Sequence, residues 1–120
     1  IQVKCKMKDM RYCFAIDLID DPKRIQAYEA YHKRVWPEIE SQILSTGVTS
    51  LEIYRVANRL FMILDAPAHF SLESKAKLDA ENPKVQEWET LMWTYQQALP
   101  FAKPNEKWVL MTKIYSLSND

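Results

Sequence analysis

Residues 11–40 read RYCFAIDLIDDPKRIQAYEAYHKRVWPEIE, and within them the hydrophobic period changes from two to between three and four. Over Arg11–Leu18, the apolar residues Tyr12, Phe14, Ile16 and Leu18 alternate with Cys13, Ala15 and Asp17. Successive strand side chains point to opposite faces, so this run predicts a half-buried strand. Asp20-Asp21-Pro22 then supplies a turn and a helix start, because proline is tolerated in a first helical turn. From Lys23 onward, Ile25, Tyr28, His32, Val35, Ile39 and Ile43 fall in steps of three and four and trace one helical stripe. Pro37 has no backbone N–H, so a kink or break is expected near Trp36. Gly47, the single glycine of the chain, is expected to end this helix where a left-handed residue is wanted.

The flanking segments complete a simple order. Ser50–Val56 and Leu60–Leu64 read as strands joined by a tight hairpin loop at Ala57-Asn58-Arg59. A helix is expected from about His69 to Ala80, broken by Asn82-Pro83. Another is expected over about Pro83–Ala98, with Asn82 as its cap. Trp108–Leu117 alternates again and is expected as a closing strand. The order β-α-β-β-α-β predicts an α+β fold, an antiparallel sheet with helices on one face. The other face would be left wet in so small a subunit, so a homodimer pairing face to face is expected. Residues 1–10 (IQVKCKMKDM) are charged and unpatterned and are expected to be a disordered leader. The chain opens on Ile1 rather than Met, and Met7 or Met10 is an alternative start. A single domain is assigned to residues 11–120.

Composition narrows the function classes. Acidic and basic residues balance at 16 each, so nothing attracts a phosphate backbone or an anionic lipid surface. No nucleic-acid or membrane partner is expected. No segment reaches the ~18 apolar residues of a membrane span, and a cytoplasmic location is expected. Cys5 and Cys13 form no CxxC pair and have no histidine nearby, so reduced thiols are expected rather than a zinc site or a disulfide. One glycine cannot build a Gly-rich phosphate cradle, which excludes dinucleotide and P-loop readings.

Few residues can carry chemistry. His32 and His69 are the only imidazoles. His69 follows Pro67 at a helix start and reads as structural or exposed. His32 lies one helical turn beyond Tyr28, which puts phenol and imidazole on the same, sheet-facing side. There it is either a hydrogen-bonded core residue or the floor of a cleft. Four tryptophans, Trp36, Trp88, Trp93 and Trp108, are each more readily core than ligand-binding. Several indoles and tyrosines near a histidine nevertheless suit a sugar, whose C–H faces lie on aromatic rings while its hydroxyls need polar groups. Glu38, Glu40, Glu52, Glu87 and Glu89 show no spacing that singles out a glycosidase-like pair.

Tyr28-Glu-Ala-Tyr-His32-Lys-Arg-Val-Trp36-Pro37-Glu38-Ile39-Glu40 resembles the signature of the L-rhamnose mutarotase family: Tyr, three residues, His, three residues, then Trp-Pro-Glu-Leu/Ile-Glu. Val85-Gln86-Glu87-Trp88, closing with Leu99-Pro100, is similar to the family's second motif. The resemblance spans roughly Arg11 to Leu117. It implies a dimeric ferredoxin-like α+β protein of the dimeric α/β-barrel type, without cofactor or metal, acting on a monosaccharide. His32 matches the family's proton donor and Tyr28 a substrate-binding tyrosine. Trp88 matches the first of two adjacent sugar-contacting tryptophans. The chain departs from the pattern where Trp88-Glu89 replaces Trp-Trp and where Leu51 stands in place of a strand tyrosine. A shifted alignment makes Trp93 the partner of Trp88 instead. These departures bear on the sugar, L-rhamnose or L-fucose, more than on the reaction.

Mutarotation opens the pyranose ring and recloses it on the other face of the carbonyl, so one proton must leave the anomeric hydroxyl and one must reach the ring oxygen. Imidazole, titrating near neutrality, can serve in both directions. His32 is therefore expected as general acid to the ring oxygen, Tyr28 as a positioning or relay group, Trp88 or Trp93 as the stacking ring, and Trp36 as a pocket wall. Two other readings stay open on this order of elements: a cofactor-free monooxygenase or haem-degrading relative, and a non-catalytic sugar-binding module.

Overall fold

The computed structural model describes residues 9–119, and in it the alternating run is strand β1, Met10–Leu18. Residues 1–8 of the expected leader lie outside the described residues, and β1 begins at Met10, inside the expected leader. Helix α1, Pro22–His32, starts as the sequence indicates: Asp21 caps it, its side chain accepting from the Lys23 N–H. The expected break is complete. The chain leaves the helix after His32, and a second helix, α2, spans Pro37–Ser45. Trp36, held before a proline, adopts φ −56° and ψ 133°, outside the helical region. Gly47 follows the end of α2 with φ +104°, its N–H bonded to the Leu44 carbonyl.

Strands β2, Ser50–Val56, and β3, Arg59–Ala66, form a hairpin in which Val56 pairs with Arg59. The loop is thus Ala57-Asn58, one residue shorter than expected, and Ala57 takes φ +51° to close it. Helix α3, Leu72–Ala80, starts three residues later than expected, where Ser71 supplies the cap. Helix α4, Pro83–Trp93, has Asn82 as its cap, with Oδ1 accepting from the N–H groups of Lys84 and Val85.

Two expectations near the end of the chain are corrected. Helix α4 ends at Trp93 rather than Ala98, because Gln96–Gln97 leaves the helix to form strand β4 against Asp17–Leu18 of β1. The closing strand over Trp108–Leu117 contracts to β5, Val109–Leu110, which pairs with Ala15 and Phe14. Both pieces lie along the same edge of β1, so one strand position is built in two segments. Just beyond β5, the Met111 N–H reaches the Cys13 carbonyl of β1.

The fold is α+β, with four helices and an antiparallel sheet of order β2-β3-β1-β4 among the described residues. Cross-strand partners share a face, so Ile16 and Leu60, Phe14 and Met62, and Tyr12 and Leu64 point together toward the helices. Ile16, Leu18 and Leu60 form the floor of a core closed by Tyr28, Ile39, Val85, Trp88 and Met92. A second cluster gathers Val48, Leu64, Ala66 and Phe70. The opposite face carries Arg11, Cys13, Ala15 and Asp17 of β1 against Asp65, Ile63, Phe61 and Arg59 of β3. Two bidentate ion pairs, Arg11 with Asp65 and Arg59 with Asp17, bracket its apolar centre.

Asn82 caps α4 and also donates from Nδ2 to Gln42 Oε1 of α2 at 3.0 Å. Asn82→Ala should lower the unfolding free energy in urea by about 1 kcal/mol, the usual worth of an N-cap. An unchanged midpoint would show that neither the cap nor the bond to Gln42 contributes.

Candidate active site

The break before Pro37 builds the site. At the end of α1, Lys33 and Arg34 donate backwards to Ala30 and Tyr31, tightening the last turn after His32. The extended Trp36 then lies across α4, its ring 5.0 Å from Trp88 in an edge-on contact. Trp88 is also edge-on to His32 at 5.7 Å and to Tyr31 at 6.3 Å. The His32 ring lies 4.3 Å from Tyr28. Lys84 Nζ approaches the Trp36 ring to 5.4 Å. Tyr28, His32, Trp36 and Trp88 thus form one cluster, the first two one helical turn apart on α1 and Trp36 brought in by the break.

The electrostatics of this cluster follow from two hydrogen bonds. His32 Nδ1 lies 2.9 Å from the Tyr28 carbonyl oxygen. A carbonyl only accepts, so Nδ1 carries the proton and the lone pair of the neutral ring is on Nε2. Burial pushes the His32 pKa below its ordinary 6.5, with the Tyr28 carbonyl bond opposing. Burial also raises the Tyr28 phenol to about 12, against a lowering by Gln96. The phenol is therefore a neutral hydroxyl throughout the physiological range. Its oxygen accepts from Gln96 Nε2 at 3.3 Å.

The other expected site residues lie elsewhere. Trp93 is on the exposed side of α4, with Lys107 Nζ 5.3 Å from its ring. Glu89 is half-buried beside Lys107, Asp79 and Lys75, and burial raises its carboxyl above the usual range. Leu51 packs against the second core cluster, whereas Ile53, two residues along the same face, packs against the first. His69 is exposed. A surface groove of about 560 Å³ between α2 and the start of α4 is lined by Pro37, Glu38, Ser41, Gln42, Ser45 and Asn82, and by none of the four clustered residues. Among the described residues no group of three His, Cys, Asp or Glu side chains could hold a metal, and Cys13 is a free, half-buried thiol. No helix there is long and apolar enough to cross a membrane.

Tyr31, Tyr95 and Gln96 were not anticipated. Tyr31 bridges Trp88 and Tyr95, the latter at 5.9 Å. Gln96 fell within a run read as helical, and no proline or glycine before Pro100 signalled that α4 ends early.

Comparison with known proteins places this geometry. The profile of the L-rhamnose mutarotase family matches residues 11–117. The chain belongs to the L-rhamnose mutarotase family. An L-fucose mutarotase of Xanthomonas campestris pv. campestris is 40% identical over 114 residues, covering 93% of this chain and 91% of the relative. A UPF0734 protein of Dictyostelium discoideum is 34% identical over 110 residues, 88% of each chain. The crystal structure of an L-rhamnose mutarotase from Formosa agariphila superposes with a TM-score of 0.67, covering 91% of this chain and 99% of that one. At 22% identity, that likeness concerns the fold. Membership makes this chain a sugar mutarotase, an isomerase acting at the anomeric centre.

Because folding lowers the His32 pKa, the unfolded chain binds that proton more readily than the folded one. The associated stability is whole above pH 6.5 and is lost as the pH falls from there through the lowered value of the folded chain. Urea unfolding at a series of pH values should show a decline below pH 6.5 that His32→Gln removes. The same decline in His32→Gln would assign it to other groups.

Proposed function

We propose that this mutarotase acts on a 6-deoxy-hexose, with His32 as the proton-transfer group. The observation that carries the reading is the bond from His32 Nδ1 to the Tyr28 carbonyl, which leaves Nε2 as the base of a half-buried neutral ring. His32, expected from the sequence as the acid to the ring oxygen, is a neutral ring with its lone pair on Nε2. In our reading Nε2 therefore first takes the anomeric hydroxyl proton as the C–O bond to the ring oxygen breaks, and a hydrogen-bond donor supplies the proton that the ring oxygen gains. Reclosure on the other carbonyl face reverses both transfers, so the ring ends neutral and the sugar changes only its configuration. Tyr28, neutral and beside the imidazole, is the donor nearest to hand. Trp88 is the stacking ring and Trp36 a wall. Trp93, Glu89 and Leu51 stand outside the cluster and have supporting roles at most.

The family match supports L-rhamnose as the sugar, and the relative at 40% identity supports L-fucose. Saturation-transfer NMR between anomer resonances compares the two sugars directly. His32→Ala should slow exchange by about 10²–10⁴-fold while the fold is kept, as for the loss of a general acid–base. Full exchange in that variant would remove His32 from the reaction.

We also assign the strand order β2-β3-β1-β4 to a ferredoxin-like sheet whose helix-free face pairs with that of a second copy. Tyr54 and Val56 of β2 stand exposed on that face beside Phe61 and Ile63. Exposed apolar residues gathered on one sheet face in this way suit an interaction surface. The cytoplasmic assignment belongs to the same reading, and the free Cys13 suits a reducing compartment. Sedimentation should give a dimer for the parent chain and a monomer for Phe61→Asp. A monomeric parent would contradict the pairing.

A further inference from the structure

We propose that Gln96 is a positioning residue of this site, acting on the reaction through the hydroxyl of Tyr28. The inference rests on the mutarotase reading given above and extends it to a residue outside the family motif. Gln96 is 7% exposed, one of two buried polar residues among the described residues, and Tyr28 is 3% exposed. Burying a carboxamide is costly unless it is bonded, so a glutamine at this depth needs a partner. Its Nε2 finds the phenol oxygen at 3.3 Å, 68 residues away in sequence. Strand β4 exists to the extent of two residues, and its pairing of Gln96 with Leu18 delivers this side chain to the helix-covered face while Gln97 points outward.

The direction of the bond matters. The amide donates, so it occupies a lone pair of the phenol and leaves the phenolic proton uncommitted. Among the described residues no other side chain or carbonyl takes that proton. Gln96 thereby leaves the phenol free to act as a donor, on a ring that lies 4.3 Å from that of His32. Replacing the amide by an apolar side chain of similar length frees the hydroxyl to rotate and to spend its proton elsewhere. The lowering of the Tyr28 pKa by Gln96 agrees with the same direction of donation.

A double-mutant cycle tests this. Anomer exchange of L-rhamnose and L-fucose is measured for the parent chain, Gln96→Met, Tyr28→Phe and the double variant, with thermal unfolding of each. Gln96→Met should lower kcat/KM about tenfold, the scale of one hydrogen bond, and change it less than about twofold when Tyr28→Phe is already present. Should Gln96→Met fail to fold, Gln96→Asn keeps an amide on β4 and withdraws it from the phenol by one methylene, and the same pattern is expected. Equal losses with and without the Tyr28 hydroxyl would overturn the role of Gln96 and leave the mutarotase reading standing. A parent chain that accelerates neither sugar would remove that reading and this inference together.

Discussion

Pro37 is the constraint on which the site depends. A helix running through it would lack one backbone bond and drive the pyrrolidine ring into the carbonyl of Lys33. The residue before a proline is also kept out of the helical region, and Trp36 accordingly takes ψ 133°. Two consequences follow from that one imino acid. Helix α1 stops at His32, and the indole of Trp36 swings onto Trp88 of α4. Without the break, Trp36 would sit on the helical stripe one turn beyond His32, and the two helices would be one rod.

Around this break, burial sets the protonation states. The same desolvation acts in opposite directions on the two rings: it keeps the imidazole neutral by lowering its pKa and keeps the phenol neutral by raising its pKa. A neutral base and a neutral donor in contact suit a reaction in which one proton leaves the sugar as another arrives. The backbone carbonyl of Tyr28 selects which imidazole nitrogen is the base, so orientation comes from main chain rather than from a carboxylate partner. Glu29, the carboxylate nearest in sequence, pairs with Arg55 instead of the ring.

Much of this was legible in the residues, and the gaps have physical causes. The first strand, the break at Pro37, the cap at Asn82 and the pairing of Tyr28 with His32 depend on local rules of alternation, proline sterics and helical spacing. The ending of α4 depends instead on tertiary pairing. Thr94-Tyr95-Gln96-Gln97 carries no breaker, and the chain turns there because the open edge of β1 at Asp17–Leu18 offers backbone bonds. The long alternating run after Trp108 misled in the other direction. Only Val109–Leu110 pairs with β1, at Ala15 and Phe14, and alternation by itself does not set how far a strand finds a partner. Which of two tryptophans on one helix meets the histidine was equally a matter of packing, and the structure places Trp88 inward and Trp93 outward. Gln96 escaped notice because a glutamine in a presumed helix has no pattern of its own.

The central claim is that the imidazole of His32, protonated on Nδ1 and open on Nε2, is the group that meets the sugar. A long-range ¹H–¹⁵N correlation spectrum of the histidine rings at neutral pH, recorded while L-fucose or L-rhamnose is titrated in, reads both nitrogens at once. The account predicts that Nδ1 of His32 stays protonated and that the Nε2 resonance moves as the sugar binds, with His69 unaffected. A sugar that binds while both His32 nitrogens remain unmoved would contradict it.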